Sequence, residues 1–147
     1  TAFETALALL QDGGPSPQDE SASAAAVKVS LVKILSGELK KEDYADAYKS
    51  YLKIRENLDP GSFYLNSSEL NALGYQLISQ ERLADALKVF KLYTKNFPGD
   101  ANAHDSLGEA YMLNGDNKRA IASYRRSLEL NPDNKNAVKM LGELKNK

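Results

Sequence analysis

The sequence has no cysteine, no tryptophan and a single histidine, His104, in 147 residues. Without thiols there is no disulfide framework, no thiolate nucleophile and no thiolate metal site, and one imidazole is too few to build a histidine-based metal centre. An excess of charge is missing as well. Nineteen Lys and Arg stand against 20 Asp and Glu, a net charge of -1, so there is no field to hold nucleic acid or an anionic membrane surface. Long apolar runs are also absent: the stretch ALALL at residues 6–10 is too short to span a bilayer. With Glu4 upstream and no basic region before it, that stretch does not read as a signal peptide either. These absences leave no expected cofactor or metal, and exclude nucleic acid and membrane insertion from the expected partners.

What is present is helical patterning. Phe3, Ala6, Leu7 and Leu10 recur at the i, i+3, i+4, i+7 spacing of one helix face. Two glycines, two prolines and a polar tract follow, so residues 1–24 read as a leading helix and its linker. Val27, Leu31, Ile34 and Leu35 place the next helix at about residues 25–35, with Ser36 and Gly37 as its stop. A further helix is expected at about residues 41–58, with Tyr44, Ala47, Tyr48, Tyr51 and Leu58 on its apolar face and Asp59-Pro60-Gly61 as its breaker. The first residue is Thr1 rather than Met, which predicts a processed or excised piece of a longer protein.

Beyond Pro60 the chain repeats itself. A shift of 34 residues lays Leu73-Gly74 on Leu107-Gly108, Ala86 on Ala120, Phe90 on Tyr124 and Pro98 on Pro132, and continues to Leu141-Gly142. A glycine inside a helix lets the partner helix approach closely, at a propensity cost of about 1 kcal/mol against alanine. Ala86 and Ala120 are expected across that approach, Phe90 and Tyr124 are expected to fill the space between successive units, and each proline stops a second helix. In this register His104 takes the slot of Leu70 and Val138, which predicts a core or interface histidine.

These residues resemble the tetratricopeptide repeat, a helix-turn-helix unit of 34 residues. The resemblance implies an all-α fold: a right-handed array of antiparallel helix pairs with a capping helix. Residues 25–66 are expected to form a degenerate pair of the same kind, with Ala47 and Tyr51 in the small and aromatic slots, and residues 67–147 two full units plus the capping helix. It also implies that the first helix of each unit lines a groove. By register the candidate groove residues are Asn71, Tyr75, Asn102, Asp105, Glu109, Met112 and Lys139, flanked by Ser68, Ser79, Asn136 and Glu143. That face is polar and mildly acidic, so capture of an acidic carboxyl terminus is not expected.

Two catalytic patterns are tempting. His104, Asp105 and Ser106 are the residue types of a hydrolase triad, but neighbours on a helix point about 100° apart and do not face one another. Ser30 with Lys33 and Ser50 with Lys53 match the S-x-x-K of penicillin-recognising enzymes, and Tyr64 to Asn66 match their Y-x-N. With this much Ser and Lys about one S-x-x-K is expected by chance, the sequence shows no K-T-G-like strand, and the chain is too short for the α/β scaffold such enzymes need. The chain itself is expected to be non-catalytic.

A narrower resemblance lies in the wording. SELNALGYQL and DSLGEAY are similar to phrases in the helical tail at the C-terminus of many bacterial serine hydrolases, both β-lactamase-related ones and esterases. It implies an accessory tail of such an enzyme in the bacterial periplasm or envelope, whose catalytic residues precede Thr1. The partner is then protein or peptide: the parent domain, a second copy or another protein. The alternative is a free-standing adaptor that binds a peptide in the groove.

Overall fold

The computed structural model describes residues 27–146, which form two compact units divided in sequence between residues 66 and 67. The expected leading helix and linker at residues 1–24 lie outside the described residues.

In the first unit, strand β1 (Val29–Ser30) leads directly into helix α1 (Leu31–Leu39), followed by α2 (Tyr44–Glu56) and strand β2 (Phe63–Tyr64). The strands pair in parallel, Val29 opposite Phe63 and Ser30 opposite Tyr64. Two expectations for α1 are corrected. The helix placed at residues 25–35 begins only at Leu31, because Ser30 is extended and its hydroxyl caps the helix by accepting from the Lys33 amide at 3.2 Å. Nor do Ser36 and Gly37 end it: the helix continues to Leu39, and the space around Gly37 is open, so the glycine costs only its propensity. Asp43 caps α2 through the Asp46 amide. The segment after Pro60 contributes β2. Helix α1 packs on α2, and Leu31, Ile34, Leu35, Leu39, Ala47 and Tyr51 are all buried.

The second unit is helical throughout: α3 (Ser67–Ser79), α4 (Leu83–Asn96), α5 (Ala101–Leu113), α6 (Asn117–Leu130) and α7 (Lys135–Lys145). Each packs on the next, and α3 also touches α5. Connections this short between packed neighbours make antiparallel hairpins. Side chains of Asp100, Asp116 and Asn134 cap α5, α6 and α7, while Pro98 and Pro132 lie just past the ends of α4 and α6. The turns inside the two hairpins are the same device. Arg82 N–H returns to Leu77 C=O at 2.8 Å with Glu81 at φ 61, and Asp116 N–H returns to Tyr111 C=O at 2.9 Å with Gly115 at φ 77. The all-α class expected from the sequence is what the chain adopts, with a two-residue strand pair as its only sheet among the described residues.

The glycine-aromatic pairs organise the core. A Cβ on Gly74 would overlap the Phe90 ring, and one on Gly108 would lie 3.0 Å from the Tyr124 ring. Each ring therefore fills first the crossing inside its own hairpin, a correction to the expectation that it fills the space between units. Ala86 and Ala120 are fully buried. His104 also departs from expectation: it is partly exposed, and its Nε2 lies 3.0 Å from the Pro98 carbonyl oxygen. At the same register Leu70 is 0% exposed and Val138 56%. Burial at that slot follows the neighbours of each helix rather than the repeat position.

Candidate functional site

A 34-residue period places residue i beside i+34 on successive first helices, and here the polar ones bond. Tyr75 on α3 donates to Oε2 of Glu109 on α5 at 2.7 Å, across a separation of 34 residues. The Ser106 hydroxyl, from a residue only 1% exposed, donates to Asn71 Oδ1 at 2.8 Å and lies 3.3 Å from the Tyr75 hydroxyl. A second row runs from α5 to α7. Asp105, 8% exposed, accepts from Asn134 Nδ2 at Oδ1 (3.0 Å) and from Asn136 Nδ2 at Oδ2 (2.9 Å). Asn134 Nδ2 also donates to Ser127 Oγ, which donates to the Ala101 carbonyl, each at 2.8 Å. The rows thus tie α3 to α5 and α5 to α7, and set the side chains of that face before any ligand arrives.

Burial, reinforced by the bond to Glu109, pushes the Tyr75 phenol up to about 12. The Tyr93 phenol is raised to about 12 by burial and by its 2.6 Å bond to Asp100. Tyr124 is shifted upward further, by burial first and then by Asp105 and Glu109. Its hydroxyl is buried and has no hydrogen-bond partner among the described residues.

Of the candidate groove residues, the structure brings Asn71, Tyr75 and Glu109 into one bonded row through Ser106, and places Asp105 in a second one with Asn134 and Asn136. Asn102 and Lys139 are exposed and stand outside both. Met112 packs partly buried against the cluster of Ala120, Tyr124, Ala137, Leu141 and Leu144. Among the flanking residues Asn136 joins the second row, Ser79 turns back to the Gln76 carbonyl, and Ser68 and Glu143 are exposed. Two members were not anticipated. Ser106 sits 35 residues from its partner Asn71, one off the period, whereas Asn134 sits 29 from Asp105, a separation the period does not mark.

The side chains of the triad-like run bond in separate directions. His104 turns to Pro98, Asp105 to Asn134 and Asn136, and Ser106 to Asn71, so the three make no relay with one another. The Ser30 hydroxyl caps α1. Among the described residues no group of His, Asp and Glu is arranged to hold a metal ion, and no helix is long and apolar enough to cross a membrane.

The tetratricopeptide repeat family model matches residues 71–142. Among solved structures, the chain is similar to the first TPR of Spaghetti (RPAP3), described as bound to the HSP90 peptide SRMEEVD. That match has 22% identity over 79% of this chain and 88% of the other, with a TM-score of 0.53. It is also similar to a chain of the APC/C hetero-tetramer Cut9-Hcn1, at 16% identity over 78% of this chain and 22% of that one, with a TM-score of 0.53. At such identities the likeness is one of fold. No curated protein matches the sequence.

Proposed function

We propose that this chain, whose residues 71–142 are tetratricopeptide repeats, is a non-catalytic protein-interaction module that receives an extended peptide on the face of α3, α5 and α7. The observation that carries the reading is the bonded row Asn71–Ser106–Tyr75–Glu109, with Asp105 held by Asn134 and Asn136 beside it. Polar side chains already oriented on a repeat face lose little further freedom on binding, and that lowers the cost of association. By repeat register Asn102, Met112 and Lys139 complete the candidate contact set. The peptide-bound fold neighbour supports an occupant of this class. Its peptide carries three acidic side chains, and Asp105 and Glu109 would repel a ligand of that kind here.

We further propose that the module is the C-terminal accessory tail of a bacterial serine hydrolase in the periplasm or envelope, packing on that enzyme or mediating self-association. What supports this is the wording SELNALGYQL and DSLGEAY. The second reading, a free-standing adaptor, is favoured by the peptide-bound neighbour. The coding sequence upstream of Thr1 separates the two: a hydrolase domain with its own S-x-x-K supports the tail, and a start codon or signal peptide directly upstream supports the adaptor. For the site itself, selection from a random dodecapeptide library followed by amide-shift mapping is decisive. The expected shifts fall on α3, α5 and α7. Shifts confined to α4 and α6, or no selected peptide, would overturn the assignment.

A further inference from the structure

We infer that the side of α7 marked by Val138 and Gly142 is a docking slot for residues 3–10 of a second copy of this chain, so that copies join head to tail. Such a contact rests on the reading of the chain as a self-associating module and uses none of the bonded peptide row.

In both complete pairs the first helix is covered by the second. Gly74 and Gly108 meet the rings of Phe90 and Tyr124, sixteen residues further on in each case. Leu141-Gly142 repeats that first-helix signature on α7. Ala137, Leu141 and Leu144 are buried in the cluster that α7 forms with α6. Gly142 is not covered in this way: among the described residues a Cβ there would meet no atom within 4 Å. Val138 is 56% exposed, where Leu70 at the same register is 0%. A glycine inside a helix costs propensity, and here no crossing within the described residues offsets it.

The chain contains a segment with the pattern of the missing cover. Residues 3–10, FETALALL, align with LADALKVF at the start of α4 and NKRAIASY at the start of α6. The four positions that α4 buries, Ala86, Leu87, Val89 and Phe90, are occupied by Ala6, Leu7, Leu9 and Leu10. Ala6 supplies the small side chain that a close crossing needs, and an apolar stripe left in water is costly. Charge selects this occupant over a second α7. That helix carries Lys135, Lys139 and Lys145 against Glu143, so two copies of it repel, whereas Glu4 is the sole charge in residues 1–10. Antiparallel docking sets the turn that holds Glu4 beside the last turn of α7, where Lys145 is exposed. Within the tether of residues 11–26, Gly14 and Ser16 each precede a proline, a bias toward extended backbone that favours reaching another copy. Because segment and slot are different surfaces, each copy can give one and receive one.

The test is sedimentation velocity on the full chain across a concentration series, with Leu7→Glu to spoil the segment and Gly142→Gln to fill the slot. Gly142 is open in a single copy, so the second variant should fold and melt like wild type when dilute. Wild type is expected to grow with concentration beyond a dimer, and each variant alone to stay monomeric. An equimolar mixture should give dimers and nothing larger, because one variant keeps the slot and the other keeps the segment. Gly142→Ala, which gains stability in the dilute chain, should weaken association at least threefold. Wild type that is monomeric throughout would overturn the slot and the self-association together. Association that survives both substitutions would overturn the slot alone. Association lost with Gly142→Gln but kept with Leu7→Glu would show α7 pairing with α7, and would also overturn the assignment.

Discussion

Helix pairs α3–α4 and α5–α6 are copies of one pattern that reach the same architecture with different margins. In the first, the Phe90 ring lies so close to Gly74 that no methyl fits between them; in the second, the Tyr124 ring leaves 3.0 Å for a Cβ on Gly108. The first turn is closed by Glu81 in the left-handed region and the second by Gly115. Tyr93 bridges to Asp100 in the first, and Ser127 accepts from Asn134 at the same two positions in the second. A repeat slot therefore specifies where a contact occurs. The partner residues decide how tight it is.

The largest expected effect is at Gly74. Gly74→Ala should lose about 2 to 3 kcal/mol in urea unfolding, because the methyl displaces a ring that is itself fully buried. Gly108→Ala should lose about 1 kcal/mol or less, since a shift of a few tenths of an ångström suffices and alanine returns some helix propensity. Equal losses at the two sites would erase the difference between the hairpins.

Alkaline pH probes the first pair through Tyr75 and Tyr93, whose counterparts in the second are Glu109 and Ser127. Both phenols hold their protons more tightly when folded, near 12 against an ordinary value of 10. The native state thus binds more protons than the unfolded one between these values, and stability falls as pH rises. The melting temperature should be flat below pH 10 and drop from pH 10 to 12, and Tyr75→Phe should remove part of that drop. An unchanged pH profile in the variant would show that Tyr75 titrates normally.

Smaller gains are expected where the pattern is unsatisfied. Glu81→Gly should stabilise by about 0.5 to 1 kcal/mol, because a side chain in the left-handed region is strained and glycine is not. Gly142 repeats Gly74 and Gly108 in sequence, yet the space around it is open. Gly142→Ala should therefore stabilise by about 0.5 to 1 kcal/mol, the propensity difference alone, in thermal melts. A loss there would mean that α7 meets a further helix in solution.

Much of the fold was legible because its determinants are local or strictly periodic. Asp100, Asp116 and Asn134 cap helices from positions just before them, Pro98 and Pro132 follow helix ends, and the Leu-Gly and small-aromatic spacings mark the crossings. The start of α1 was not legible, since Ser30 is held extended by a strand pairing with Tyr64, far along the chain. In the candidate site, register placed Asn71, Tyr75, Asp105 and Glu109 on one face. Their bonds, and the entry of Ser106 and Asn134, depend on the separation of helices that no single helix encodes.

By itself the sequence determined the all-α class, the 34-residue repeat and the residues at each crossing, because helix periodicity and capping act within a few residues of the chain. Only the tertiary structure decided that His104 turns to Pro98 instead of the core, that Gly142 stands open while Gly74 and Gly108 do not, and that the Tyr124 hydroxyl is buried without a partner among the described residues. Those outcomes follow from the atoms that neighbouring helices bring to each site, and burial and hydrogen bonding depend on those atoms.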